Sequence, residues 1–286
     1  MTQDEHGSAR SGAAPSAVEA DIRPLSPALG VEVHGIDLAR IVPAATLATI
    51  RRAWEESCVV VFRRQHLSLV KQIRVASGFG AVGKSGIGPP PVLQVSNAPD
   101  KSPIPSILPE GAIDFHSDQS YLDEPSVATM LYALDVPQSG GNTLFSNGFR
   151  AYETLPDQMK QRLASARALH VYDYDSDPTR RPARIPDNAK QAVHPVFRIH
   201  EPTGKLVLYV SRLMTWSILD MPPAESRQTL EFLFSHQESA AFVYEHVWQS
   251  GDVVIWDNRS CNHARTTFDP RERRQLMRIT LLKEPP

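Results

Sequence analysis

Apolar and polar positions change period repeatedly along the chain, and rarely hold one period for long. Residues 30–38, "GVEVHGIDL", alternate with a period of two, as a half-buried strand does. The stretch 44–58, "AATLATIRRAWEESC", has helical spacing, and 59–63, "VVVFR", is a short apolar strand. Residues 68–80, "SLVKQIRVASGFG", read as a helix closed by glycine. The proline- and glycine-rich 83–91, "GKSGIGPPP", reads as a loop. An apolar strand at 127–136 leads into the turn "PQSGG", and a helix follows around 155–166. Further strands are expected at 168–174, 205–211, 241–248, 251–258 and 274–282, with one more helix at 224–236. Many short strands with few helices between them predict a mainly β fold with flanking helices, not repeated βαβ units. The preferred arrangement is an antiparallel jelly-roll core with helices packed outside it.

Composition limits the class. With 286 residues, 41% hydrophobic and 22% charged, the chain can build a sizeable core in the ordinary soluble range. We expect a disordered tail over 1–20 and one domain over 21–286. A formal net charge of -2 excludes broad attraction to nucleic acid or anionic membrane. No apolar run approaches the roughly 20 residues of a membrane span. The two cysteines, Cys58 and Cys261, exclude a disulfide-rich scaffold or a cysteine zinc cluster, although they could pair with each other. A reducing cytoplasm is the expected compartment. Residues 83–91 and 176–188 are candidate lids.

The candidate chemistry begins with "FHSDQS". Side chains at i and i+2 of a strand point to one face, so both can reach one ion; on a helix they lie about 200° apart. His116 has an acid on each side at that spacing, Asp114 and Asp118, and parity alone does not choose between them. His236 and Glu238 share the same spacing, but His236 closes a helix and is read as a helix-end residue. His263 follows the buried strand "VVIWDN" in a segment that reads as turn-rich and polar. Two histidines and one carboxylate would leave several positions of an octahedral metal open, which suits non-haem Fe(II) and oxygen. In "RQLMRITLL", Met277, Ile279 and Leu281 share one face, while Arg274, Leu276, Arg278 and Thr280 share the other. Two arginines on a half-buried face need anions, and no acid lies in that strand, so a bound anion is one reading. A solvated face paired with acids elsewhere is the other.

His116-Ser-Asp118, "GGNT" at 140–143 and "WDNRSCNHARTTFDPRERRQLMRITL" at 256–281 resemble the Fe(II)/2-oxoglutarate-dependent dioxygenases of the taurine and phenoxyacetate (TauD/TfdA) family. The resemblance runs from about residue 22 to 282 and implies a double-stranded β-helix, a form of jelly roll. It implies His116, Asp118 and His263 as catalytic iron ligands, and so Asp118 over Asp114. It implies Thr143 and Arg274 on the distal carboxylate of 2-oxoglutarate, with Arg278 nearby at the cosubstrate or the substrate anion. Gln119 would face the substrate. Fe(II), 2-oxoglutarate and O2 are the cofactors and cosubstrates expected, with release of succinate and CO2. The prime substrate would be a small organic anion, a carboxylate or sulfonate, and the family's habit allows a homo-oligomer. Two positions depart from the taurine enzyme: its sulfonate-binding histidine is missing from 79–91, where Lys84 could supply a cation, and its asparagine is Ala112. Taurine is therefore not the expected substrate. A zinc-dependent hydrolase and a non-catalytic jelly-roll binding protein stand as alternatives, and neither needs a 2-oxoglutarate clamp.

Overall fold

Strands buried along their whole length need cover on both faces, and the architecture is organised around two of them. The computed structural model describes residues 19–83, 91–97, 104, 106–172 and 184–283. The chain first forms β1 (Asp21–Pro24), β2 (Val31–His34), α1 (Ala44–Ser57), β3 (Val59–Phe62), α2 (Leu69–Ser77), β4 (Ala81–Val82), β5 (Leu93–Ser96) and β6 (Ile113–His116). Next come β7 (Ala128–Asp135), β8 (Thr143–Asn147), α3 (Gly148–Glu153), α4 (Asp157–Leu163), β9 (Arg167–Tyr172), β10 (Lys190–Pro195), β11 (Phe197–Ile199) and β12 (Leu206–Leu208). The last are β13 (Thr215–Ile218), α5 (Pro223–Gln237), β14 (Val243–His246), β15 (Val253–Asp257), β16 (Cys261–Arg265) and β17 (Gln275–Leu282).

The large sheet runs β1-β2-β3-β15-β7-β17-β4, with β5 also paired to β17. The pairing is antiparallel except between β2 and β3. In its centre, β3 and β15 are buried at every residue, and successive side chains enter two different cores. Val60, Phe62, Val253 and Ile255 face one cluster, together with Ile50 and Trp54 of α1 and Val75 and Ala76 of α2. Val59, Val61, Val254 and Trp256 face another, shared with Phe145 of β8 and Cys261 of β16. The large sheet is thus covered by helices outside and by a second sheet inside. That second sheet has the order β14-β8-β16-β6. A third cluster joins α5 to the small sheets β10-β9-β13 and β11-β12.

Most expected elements are present within a residue or two of their predicted ends. β1, β4, β5, β8, α3, β10, β11 and β13 were not anticipated. The segment carrying His263 is a correction: it is not turn-rich but lies in β16, every residue of which is buried. Its polar letters mislead because a central strand of the second sheet turns them inward, where hydrogen bonds receive them. Cys58 and Cys261 are both free and buried. Burial pushes the Cys58 thiol up to about 12. No helix among the described residues is long and apolar enough to cross a membrane. Most of the expected tail, and the loops carrying Lys84 and residues 176–183, lie outside the described residues.

Candidate metal centre

β6 is the edge strand of the inner sheet and pairs with β16, which sets His116 directly opposite His263. Their rings lie 4.1 Å apart between centroids. The Asp118 Oδ1 atom lies 3.9 Å from His116 Nε2 and 3.8 Å from His263 Nε2. One ligand atom from each of the three falls within 4.8 Å of the others. Asp114 is not in that group; instead its backbone carbonyl, 2.8 Å away, accepts from His116 Nδ1. That bond fixes the tautomer and leaves the Nε2 lone pair free for an ion. Burial pushes both imidazoles down, His263 well below its usual range, so both are neutral donors near neutrality.

The carboxylate is held so that only one oxygen faces the histidines. Thr129 Oγ1 donates to Asp118 Oδ2 at 2.6 Å, and Arg278 Nη2 lies 2.8 Å from the same oxygen. Burial alone would raise this carboxyl, but Arg278, His263, His116 and the Thr129 bond overcome it and hold it well below the usual carboxylate range. The set is a preformed, anionic, two-histidine site of the facial type, with donors suited to Fe(II).

A second feature lies beside it. Thr143, the first residue of β8, is buried and accepts a 3.0 Å hydrogen bond from Trp248 Nε1. Arg274 is fully enclosed: its backbone N–H donates to Asn97 Oδ1, its Nε donates to the Gly141 carbonyl, and its Nη1 is buried with no partner. The "GGNT" glycines are required by this packing. Both have positive φ; a Cβ at Gly140 would stand 2.3 Å from the Thr267 carbonyl oxygen, and one at Gly141 would press on Arg274. Across β8 and β16, Arg265 stands opposite Thr143. Burial pushes Arg274 down to about 9, aided by the nearby Arg265 cation, and burial alone pushes Arg265 to about 10. Among the described residues neither guanidinium has an acid partner, and buried cations without one are costly.

The structure therefore brings together His116, Asp118 and His263, adds Arg278 on Asp118, and sets Arg274 against Gly141, two residues before Thr143. Gln119 follows Asp118 with a positive φ of 59° and is half-buried. Lys84 lies outside the described residues. His236 stands apart, its Nε2 donating to the Ala151 carbonyl, while Glu238 pairs with Arg212. Reading by periodicity missed three residues: Thr129, Trp248 and Arg265. Arg265 carried a usable signal, since it shares strand parity with His263, but the segment was not read as a strand.

Two histidines and one carboxylate grouped in a mainly β fold are an arrangement suited to a non-haem Fe(II) oxygenase. Residues 21–280 match the family model described as taurine catabolism dioxygenase TauD, TfdA family, and the chain belongs to that family. It is accordingly an oxidoreductase of the dioxygenase class, whose members use Fe(II), 2-oxoglutarate and O2. Among relatives, pentalenolactone F synthase of Streptomyces avermitilis is 31% identical, covering 91% of this chain and 92% of its own. The alpha-ketoglutarate-dependent 2,4-dichlorophenoxyacetate dioxygenase of Cupriavidus pinatubonensis is 30% identical over 91% of this chain and 97% of its own. Among solved structures, a taurine dioxygenase from Burkholderia xenovorans superposes with a TM-score of 0.78 at 30% identity, covering 93% and 92% of the two chains. AAD-2, crystallised with Mn(II) and N-oxalylglycine, gives 0.79 at 26% identity, covering 94% and 99%.

Proposed function

We propose that the protein hydroxylates a small organic anion, a carboxylate or sulfonate, in an Fe(II)- and 2-oxoglutarate-dependent reaction that releases succinate and CO2. The observation that carries this reading is the adjacency of two complementary sites. One is a set of two histidines and a carboxylate, and the other is a buried arginine with a free donor and, among the described residues, no acid partner. His116, Asp118 and His263 would hold Fe(II), and Thr143 and Arg274 the distal carboxylate of 2-oxoglutarate. When bound, the iron and cosubstrate supply oxygen-dependent C–H oxidation.

The protein's own groups fix orientation. The His116–Asp114 bond aims Nε2, and Thr129 with Arg278 turns Asp118 so that Oδ1 alone is presented. Arg274 and Thr143 give the cosubstrate one direction in the pocket. Arg278 keeps a buried Nε without a partner, and this, with Lys84, is our candidate cation for the substrate anion; Gln119 is our candidate selector beside Asp118. That a relative is named for 2,4-dichlorophenoxyacetate supports an acidic substrate. We read the two facing sheets as a double-stranded β-helix and residues 21–286 as its single domain. The buried free thiols support a reducing, cytoplasmic setting.

The test uses the purified protein without oxygen. Fe(II) plus 2-oxoglutarate should give a weak visible charge-transfer band, and a panel of small acids should include one that drives succinate release in air. Asp118→Ala should abolish both the band and the succinate. A band and turnover that persist in that variant would reject the assignment.

A further inference from the structure

We propose that Arg265 is a second cation of the distal-carboxylate seat, so that the pocket grips its 2-oxo acid with two guanidiniums and one hydroxyl. This rests on the reading above and extends it to a residue outside the set of Thr143 and Arg274. The geometry starts from strand parity. Arg265 is two residues after His263 in β16, so both side chains leave the same face of the inner sheet. Its direct cross-strand partner is Thr143, and opposed residues of an antiparallel pair hold their Cβ atoms about 4.5–5.5 Å apart on one face. Its guanidinium carbon lies 5.7 Å from the Phe268 ring centroid, and that of Arg274 lies 5.9 Å from the same centroid. The two cations therefore share a corner of the pocket.

Among the described residues, Arg265 has no acid partner. It is 6% exposed, and its Nε and Nη1 are buried with no partner. Nη2 donates to the carbonyls of Pro109 and Gly111, which satisfies protons without neutralising charge. Two neighbouring buried cations with free donors are costly until a carboxylate arrives, and a carboxylate has four lone-pair sites to divide between them. The Asp118 carboxylate does not fill this role, because its free oxygen is taken by Thr129 and Arg278.

The experiment measures binding of 2-oxoglutarate, and of 2-oxobutyrate, which lacks the distal carboxylate, to the Mn(II)-loaded protein by anaerobic calorimetry without any prime substrate. In Arg265→Gln, 2-oxoglutarate should bind about 10- to 100-fold more weakly while 2-oxobutyrate changes less than about twofold. Arg265→Lys keeps the stem and charge but loses the fork; it should fold even if Arg265→Gln does not, and should lose about 3- to 10-fold for 2-oxoglutarate alone. Unchanged 2-oxoglutarate affinity in both variants overturns the proposal, as it would if Arg265 served the prime substrate. An equal loss for both keto acids also overturns it, because that marks a role confined to holding residues 109–111. If the unmodified Mn(II) protein binds no 2-oxoglutarate at all, the function proposed above fails, and this inference with it.

Discussion

A tryptophan N–H can only donate, and that one-way property gives Trp248 a consequence at Thr143. With Nε1 bonded to Thr143 Oγ1 at 3.0 Å, the hydroxyl must accept from the indole, and its own proton is left to donate into the pocket. A hydroxyl in this state presents a donor to a carboxylate in advance of binding. The indole is in turn braced, since its ring meets His246 edge-on at 4.6 Å and His246 is bonded to buried Asp252. Trp248→Phe removes the donor and keeps most of the volume. It should weaken 2-oxoglutarate binding by about 0.5–1.5 kcal/mol, read by anaerobic titration of the charge-transfer band. Thr143→Val should cost at least as much. If the two act through one bond, the double variant should lose less than the sum of the single losses; full additivity would show that Trp248 does not work through Thr143. None of this was legible in the chain. Trp248 reads as one more large apolar residue at a strand end, and only the fold shows where its single polar atom points.

At the scale of elements, legibility depended on what each segment's polar residues were doing. β3, β15 and β17 were readable because their apolar letters are set by burial on both sides of one sheet. β16 was not, because its inward positions hold His263 and Arg265, and a strand that turns function toward the interior resembles a loop in letters alone. The turn before β8 lies between these cases: "GGNT" was recognised through family resemblance, and the structure supplies the physical reason. Gly141 has φ 65°, and an added Cβ would stand 3.1 Å from Arg274 Nε. Gly141→Ala should therefore cost about 1–2 kcal/mol in folding through the left-handed backbone. It should also displace the arginine and weaken 2-oxoglutarate binding. Gly141→Asn, which tolerates that backbone better, should recover part of the melting temperature while leaving the binding defect. Recovery of both would place the fault in the turn and not in Arg274.

For the whole molecule, the site amounts to charge stored in the fold. The inner sheet and β17 bring together a carboxylate already paired with Arg278 on one side and, among the described residues, guanidiniums without an acid partner on the other; the unpaired cations cost stability until an anion binds. Fe(II) or Mn(II) and 2-oxoglutarate should therefore act as folding ligands. At a concentration of 100 times Kd, one ligand that binds only the native state contributes about 2.7 kcal/mol. For a chain of 286 residues that is a rise of roughly 4–5 °C in melting temperature. The order should matter, because the dicarboxylate is held from both ends: 2-oxoglutarate alone should shift the midpoint less than it does on the metal-loaded protein. A chelator should return the midpoint to that of the metal-free protein. Asp118→Ala should lose the metal-dependent shift while keeping a small response to 2-oxoglutarate through Arg274. Arg274→Gln should show the reverse, a retained metal shift and no further rise on adding the keto acid. Equal shifts in both variants would mean that the two halves are not the separate seats their geometry describes.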